Sequence, residues 1–243
     1  MSVPATNTKF DKAQSLPYAL VGAVLYASTV LRPDLSHAAS VLSRYISKWS
    51  KVHYAAAKHL LRYIKGTTDY ALTFRAVKQT VGYCDADWGG DLDTRRSTTG
   101  YLFKIFGGVV SRRSRRQPTV ALSTTEAEYM ASADAARQAV WFRQLLDNLQ
   151  LGLGKDPFPI MNDNAGTIAL SKNPVYHERS KHIGLRHHYL RERVEDGTIS
   201  LLHIPSVNNI ADLFTKPLPR DQFNKLRSLL GVIPLPDRVG VLD

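Results

Sequence analysis

A single cysteine, Cys84, stands among 243 residues. That excludes an internal disulfide and any zinc site built on several thiolates, and a reducing compartment fits it. The most apolar run, Tyr18 to Leu31, falls short of the roughly 20 residues that cross a bilayer. It reads as a buried helix, and no membrane partner is expected. The polar opening, Met1 to Ser15, lacks the basic-then-apolar order of a secretion signal. An intracellular protein, cytoplasmic or nuclear, is therefore expected. There is no Walker-type glycine loop for a nucleotide phosphate, no internal repeat and no low-complexity segment. Acids are missing locally too: between positions 41 and 68 the ionised residues are Arg44, Lys48, Lys51, Lys58, Arg62 and Lys65.

What is present is 44% hydrophobic and carries a net charge of +11. The first allows a sizeable core, and the length of 243 residues one large domain or two small ones; the charge favours a polyanionic partner. After a loose polar lead-in to about residue 15, three helices are expected. They run from Tyr18 to Leu31, from a cap at Asp34 or Ser36 through Ile46, and from Val52 to Ile64. The last buries Ala56, Leu60, Leu61 and Ile64. Tyr70 to Phe74 reads as a short strand, and the boundary of a small helical region falls near 75. Strands follow at Thr80 to Cys84, Thr99 to Phe106 and Val109 to Ser111. Their links are short, a hairpin at Gly107-Gly108 among them, so they should pair antiparallel.

Arg112, Arg113, Arg115 and Arg116 come next. So dense a run repels itself without an anion, so it reads as a phosphate clamp beside the sheet, with a charged loop as the plainer alternative. A long helix spans Ser123 to Leu149, started by Ser123 or Thr124 with Glu126 or Glu128. Phe158 to Met161 is a buried strand, expected to join the sheet in parallel after so long a helix. A short helix from Ala165 to Ser171 follows it. A polar stretch then bears His177 and His182, and a basic helix bears His187 and His188. A strand at Thr198 to Ile204 and a helix capped by Asn208 or Asn209 follow. Another helix at Gln222 to Leu230 and a frayed tail complete the chain.

Acids recur at the edges of these apolar elements. Asp85 and Asp87 follow the first strand of the sheet, Asp163 ends the strand at 158, and Asp212 lies in the first turn after Asn209. Taken alone, each reads first as a surface or capping residue, and it is their grouping that points to a site. Glu126 and Glu128 are two apart on one helix and point about 200° apart, so one of them at most faces Asp85. Glu128 shares its side with Ala131, Ser132 and Ala135, while Glu126 is placed for capping. Brought together, Asp85, Glu128, Asp163 and Asp212 would repel strongly unless divalent cations neutralised them. Oxygen-only ligands suit Mg²⁺ or Mn²⁺ rather than zinc.

Several segments resemble one family. They are Gly82 to Trp88, Arg96 to Tyr101, Ser123 to Ala131, Asp163-Asn164, Lys181-His182-Ile183 and Ala211 to Leu218. Together these residues resemble the RNase H domain of copia-type LTR retrotransposon polyproteins. Residues 18 to 74, with Leu61 to Thr67, look like the tail of the preceding reverse transcriptase. The resemblance implies an α/β fold, a mixed five-stranded RNase H-like sheet flanked by helices and preceded by a small helical region. The expected division is 1–75, 76–231 and a tail at 232–243.

It implies two-metal hydrolysis of the RNA strand of an RNA–DNA hybrid, with Asp85, Glu128, Asp163 and Asp212 holding two Mg²⁺ ions. Asp85 would bridge both, and Arg112, Arg113, Arg115 and Arg116 would track the hybrid backbone. Reverse transcriptase or integrase portions of the same polyprotein are further expected partners, and no polymerase activity is expected. A catalytically inactive nucleic-acid-binding remnant is the alternative, and a packing subunit beside an intact polymerase a third.

Overall fold

The computed structural model describes residues 8–153, 156–172 and 184–235. Three helices come first, α1 (Thr8–Val30), α2 (Ser36–Arg44) and α3 (Lys51–Lys65). α1 starts well inside the expected loose lead-in, because polarity decides where a segment is exposed and not whether its Lys, Ala, Gln and Leu form a helix. Neither Asp34 nor Ser36 caps α2. Asp34 lies in a 3-10 turn, Pro33–Leu35, and accepts from Arg32 Nε and Nη2 (3.0 and 2.8 Å) and from the Tyr63 hydroxyl (2.6 Å). α3 buries Ala57 and Leu60 rather than Ala56 and Leu61, a stripe turned by one residue. These helices share a small core of Val21, Val24, Leu35, Ala39, Leu42, Ala57 and Leu60.

The Arg32–Asp34 pair is buried, Arg32 being 8% and Asp34 5% exposed. Asp34→Ala would strand the guanidinium, which is expected to cost about 3–5 kcal/mol, measured by urea unfolding.

β1 (Tyr70–Leu72) pairs antiparallel with β7 (Val232–Pro234), so the expected tail begins as a strand. The main sheet is five-stranded and mixed, in the order β4-β3-β2-β5-β6. β2 (Thr80–Asp87), β3 (Thr98–Ile105) and β4 (Gly108–Arg116) form the antiparallel meander. Phe106 and Gly107 have φ of 53° and 71° and turn the chain between β3 and β4. The hairpin is thus centred one residue before the expected Gly107-Gly108.

β4 continues five residues past Ser111, because ladder hydrogen bonds to β3 are backbone bonds that do not depend on side-chain charge. The arginine run is therefore strand and not loop, with its side chains alternating between the faces. After α4 (Thr124–Asn148), β5 (Phe158–Asn162) lies parallel to β2. β6 (Ile199–His203) lies parallel to β5, reached through α5 (Ala165–Lys172) and α6 (Gly184–Glu195).

α4 packs on one sheet face through Tyr129, Ala133, Ala136 and Phe142 against Tyr101, Phe103 and Ile160. The other face, with Leu102 and Val109, is covered by a 3-10 turn (Ile210–Phe214), by α7 (Arg220–Leu230) and by β7. This is the mixed five-stranded sheet, flanked by helices and preceded by a helical region, that the resemblance implies. Among the described residues no helix is long and apolar enough to cross a membrane.

Candidate metal centre and its relatives

β2 and β5 lie side by side and parallel, so their C-terminal ends deliver Asp85 and, one residue past β5, Asp163 to the same edge. α4 crosses above and presents Glu128 to it. Ser123 starts that helix by accepting from Glu126 N (3.1 Å), while Glu126 Oε2 accepts from Leu122 N (2.8 Å). Glu126 is thus used as the cap and Glu128 turns inward. Asp85, Glu128 and Asp163 each offer one carboxylate oxygen, and these lie within 4.8 Å of one another. Asp85 is 2% and Glu128 6% exposed. No histidine belongs to this trio. His177 and His182 lie outside the described residues, His187 lies in α6, and the exposed His188 meets Arg191 (3.0 Å).

Asp212 stands beside the trio, buried at 5% exposure in the 3-10 turn capped by Asn209. The turn is tighter than the α-helix expected there, and its closeness to β3 depends on Gly100. A Cβ at that position would stand 2.5 Å from Thr215 Cγ2 and 2.9 Å from Phe214 Cβ. Gly100→Ala is expected to displace the Asp212 turn and reduce any activity of the site about 100-fold in a turnover assay, at a stability cost of about 1–3 kcal/mol.

Several residues that the sequence did not single out hold the acids in place. Thr215 Oγ1 donates to Asp85 Oδ2, and Ser206 Oγ donates to Asp163 Oδ2. Asn209 Nδ2 reaches the Cys84 carbonyl (3.0 Å) and Asp163 Oδ1 (3.5 Å). Asn162, fully buried, donates to Glu128 Oε2 (3.0 Å), while Ala86 N donates to Glu128 Oε1 (2.9 Å). Lys216 places Nζ 3.0 Å from Asp212 Oδ1 and 3.8 Å from Asp85 Oδ2. Its i, i+4 spacing from Asp212 was the available signal.

The electrostatics show a shortage of positive charge. Burial, and then the Asp85 charge, push Glu128 well above the carboxylate range despite its two donors. The same two causes push Asp212 up to about 7, with Lys216 offsetting part. The Lys216 ammonium is held above its usual value, since Asp85 and Asp212 outweigh its own desolvation. One lysine does not balance four acids. An all-oxygen set of this density, with two members driven toward their neutral forms, fits a hard divalent cation. Cys84 is no nucleophile, since burial pushes its thiol up to about 12.

The arginine run does not converge on one site. Arg116 pairs with Asp91 (2.8 Å), which also holds Arg44 (3.3 Å), and Arg112 Nε donates to Ser36 Oγ (3.3 Å). Arg113 and Arg115 fall on the opposite strand face by alternation.

No protein-family model matches the chain. A retrovirus-related Pol polyprotein from transposon TNT 1-94 of Nicotiana tabacum is 41% identical over 231 residues. The match covers 94% of this chain and 17% of that protein. One from transposon RE2 of Arabidopsis thaliana is 37% identical over 223 residues, covering 91% of this chain and 15% of that protein. The chain thus spans about a sixth of the length of these relatives. Among solved structures it is similar to an RNase H1 isolated from compost by a metagenomic approach. There the identity is 15%, with 61% of this chain and 98% of that chain covered at a TM-score of 0.44. On the sequence relatives, which run through the strands and turns that carry all four acids, the chain belongs to the retrovirus-related Pol polyproteins of copia-type transposons.

Proposed function

We propose that this segment is a metal-dependent ribonuclease H, hydrolysing the RNA strand of RNA–DNA hybrids. Residues 76–231 would carry the nuclease, and residues 1–75 would derive from the end of the reverse transcriptase. The observation that carries the reading is the convergence of Asp85, Glu128 and Asp163 at one sheet edge with Asp212 beside them.

Asp85, Glu128, Asp163 and Asp212 would hold two Mg²⁺ ions, with Mn²⁺ as a substitute. Such ions supply an activated water and neutralise charge at the leaving oxygen of a phosphodiester. The chain's own part is placement. Thr215 and Ser206 fix the carboxylates of Asp85 and Asp163, so each presents its remaining lone pairs in one direction. Asn162 and Ala86 N keep Glu128 aimed at the same point. Lys216 neutralises the Asp85–Asp212 side and would hold a phosphate oxygen when those acids are occupied.

The net charge of +11 supports a polyanionic substrate. Arg113 and Arg115 are proposed to follow its backbone, since Arg116 is held by Asp91 and Arg112 Nε by Ser36 Oγ.

The test is a 5′-labelled RNA annealed to DNA, incubated with the protein and Mg²⁺. Cleavage leaving 3′-hydroxyl and 5′-phosphate ends, abolished by EDTA, is expected. Salt-sensitive binding without cleavage would instead identify a nucleic-acid-binding remnant.

A further inference from the structure

Away from the acid cluster, a cavity of about 490 Å³ opens between α1, α2 and β4. Arg112, Arg113 and Ser114 of β4 line it together with Ser36 and Ser40 of α2; no acidic residue does. Arg112 Nε is spent on Ser36 Oγ, but Arg112 Nη2 is buried and has no hydrogen-bond partner, and neither has the buried Ser114 Oγ. Ser36 accepts from Arg112 and so keeps its own hydroxyl proton to give. Asp34, the acid whose charge acts on Arg112, is engaged by Arg32 and Tyr63.

A buried guanidinium nitrogen with no acceptor is costly. Such a group calls for an acceptor from outside the chain, a water or an anion.

We propose that Arg112, Ser114 and Ser36 form a phosphate-binding site separate from the acid cluster. Three donors from a strand and a helix surround a tetrahedral oxyanion, which a planar carboxylate would fill less completely. The phosphate comes either from a polynucleotide backbone passing the β4 side of the sheet or from a free phosphate species. The proposal does not depend on cleavage and is read without it.

Thermal unfolding of the full chain in sodium phosphate is compared with sodium chloride at matched ionic strength. At phosphate ten-fold above its Kd the melting temperature is expected to rise by about 3–6 °C, and Arg112→Met is expected to lose that rise. Binding of an uncleavable DNA duplex then separates the sources. If Arg112→Met lowers the slope of log K against log salt by about one, the phosphate belongs to a polynucleotide; an unchanged slope identifies a free phosphate. Should Arg112→Met fail to fold, Arg112→Lys and Ser114→Ala take its place, each expected to reduce the rise. No phosphate-specific rise in the wild type, or a full rise in the variants, overturns the site.

Discussion

Asp85→Asn is expected to lower hybrid cleavage roughly 1,000-fold or more while making the metal-free protein harder to unfold. The two effects have one origin. Asp85 lies at the middle of the cluster, and its charge raises both Glu128 and Asp212. Removing it takes away a ligand to both proposed ions, and losing about 4 kcal/mol of transition-state stabilisation corresponds to that rate. It also relieves repulsion among buried acids, so melting in EDTA should move up by a few degrees. Asparagine still accepts from Thr215, so the strand end keeps its anchor. Cleavage that survives the substitution would place the chemistry elsewhere. Unchanged metal-free melting would show that the acids do not strain the fold.

The second large effect is on the pH dependence of stability. Folded Asp212 holds its proton to about pH 7, whereas the ordinary value is 3.8. The folded form therefore binds the extra proton between these values, and that contribution to stability is present in full below the lower one and lost as pH rises through the upper. Glu128 acts in the same direction. His37, which burial lowers to about 4, acts oppositely over part of the window. The difference between wild type and Asp212→Asn removes His37 from the comparison.

In EDTA that difference should drift against the wild type by on the order of 3 kcal/mol between pH 4 and 8, or roughly 6–12 °C in melting temperature. Mg²⁺ should reverse it, stabilising the wild type more at pH 8 than at pH 5.5, because at the lower pH the cation must displace protons. A melting difference flat across this range in EDTA would contradict the raised Asp212 value.

The parts of the fold readable in the sequence were those with local signals. The β2–β4 meander shows alternating strands with short turns between them, and α4 shows a capped, alanine-rich helix. Helical rotation allowed only one of Glu126 and Glu128 to face the site, and the small residues beside Glu128, with the resemblance, chose it; the structure uses the two in that way. What escaped was non-local. Nothing near Asn162 or Lys216 announces that one steadies Glu128 across 34 positions and the other faces Asp85. Tyr70 to Phe74 was readable as a strand, but its ladder partner Val232–Pro234, far along the chain, was not, being too short for a periodic pattern. The arginine run reads in sequence as a clamp beside the sheet, with a loop as the alternative; it is instead part of the edge strand, because the partner strand's backbone decides whether such residues extend.

The same ladder governs how this polypeptide can be divided. Tyr63 sits edge-on to Phe223 and takes a hydrogen bond from Arg227, while Tyr70 and Leu72 pack against the Leu102–Phe214 face. A gene trimmed to begin at residue 76 would leave Val232–Pro234 as an orphan edge beside an uncovered greasy surface. Unpaired edges of that kind invite self-association. In the intact chain, the segment before residue 76 covers both that edge and that surface.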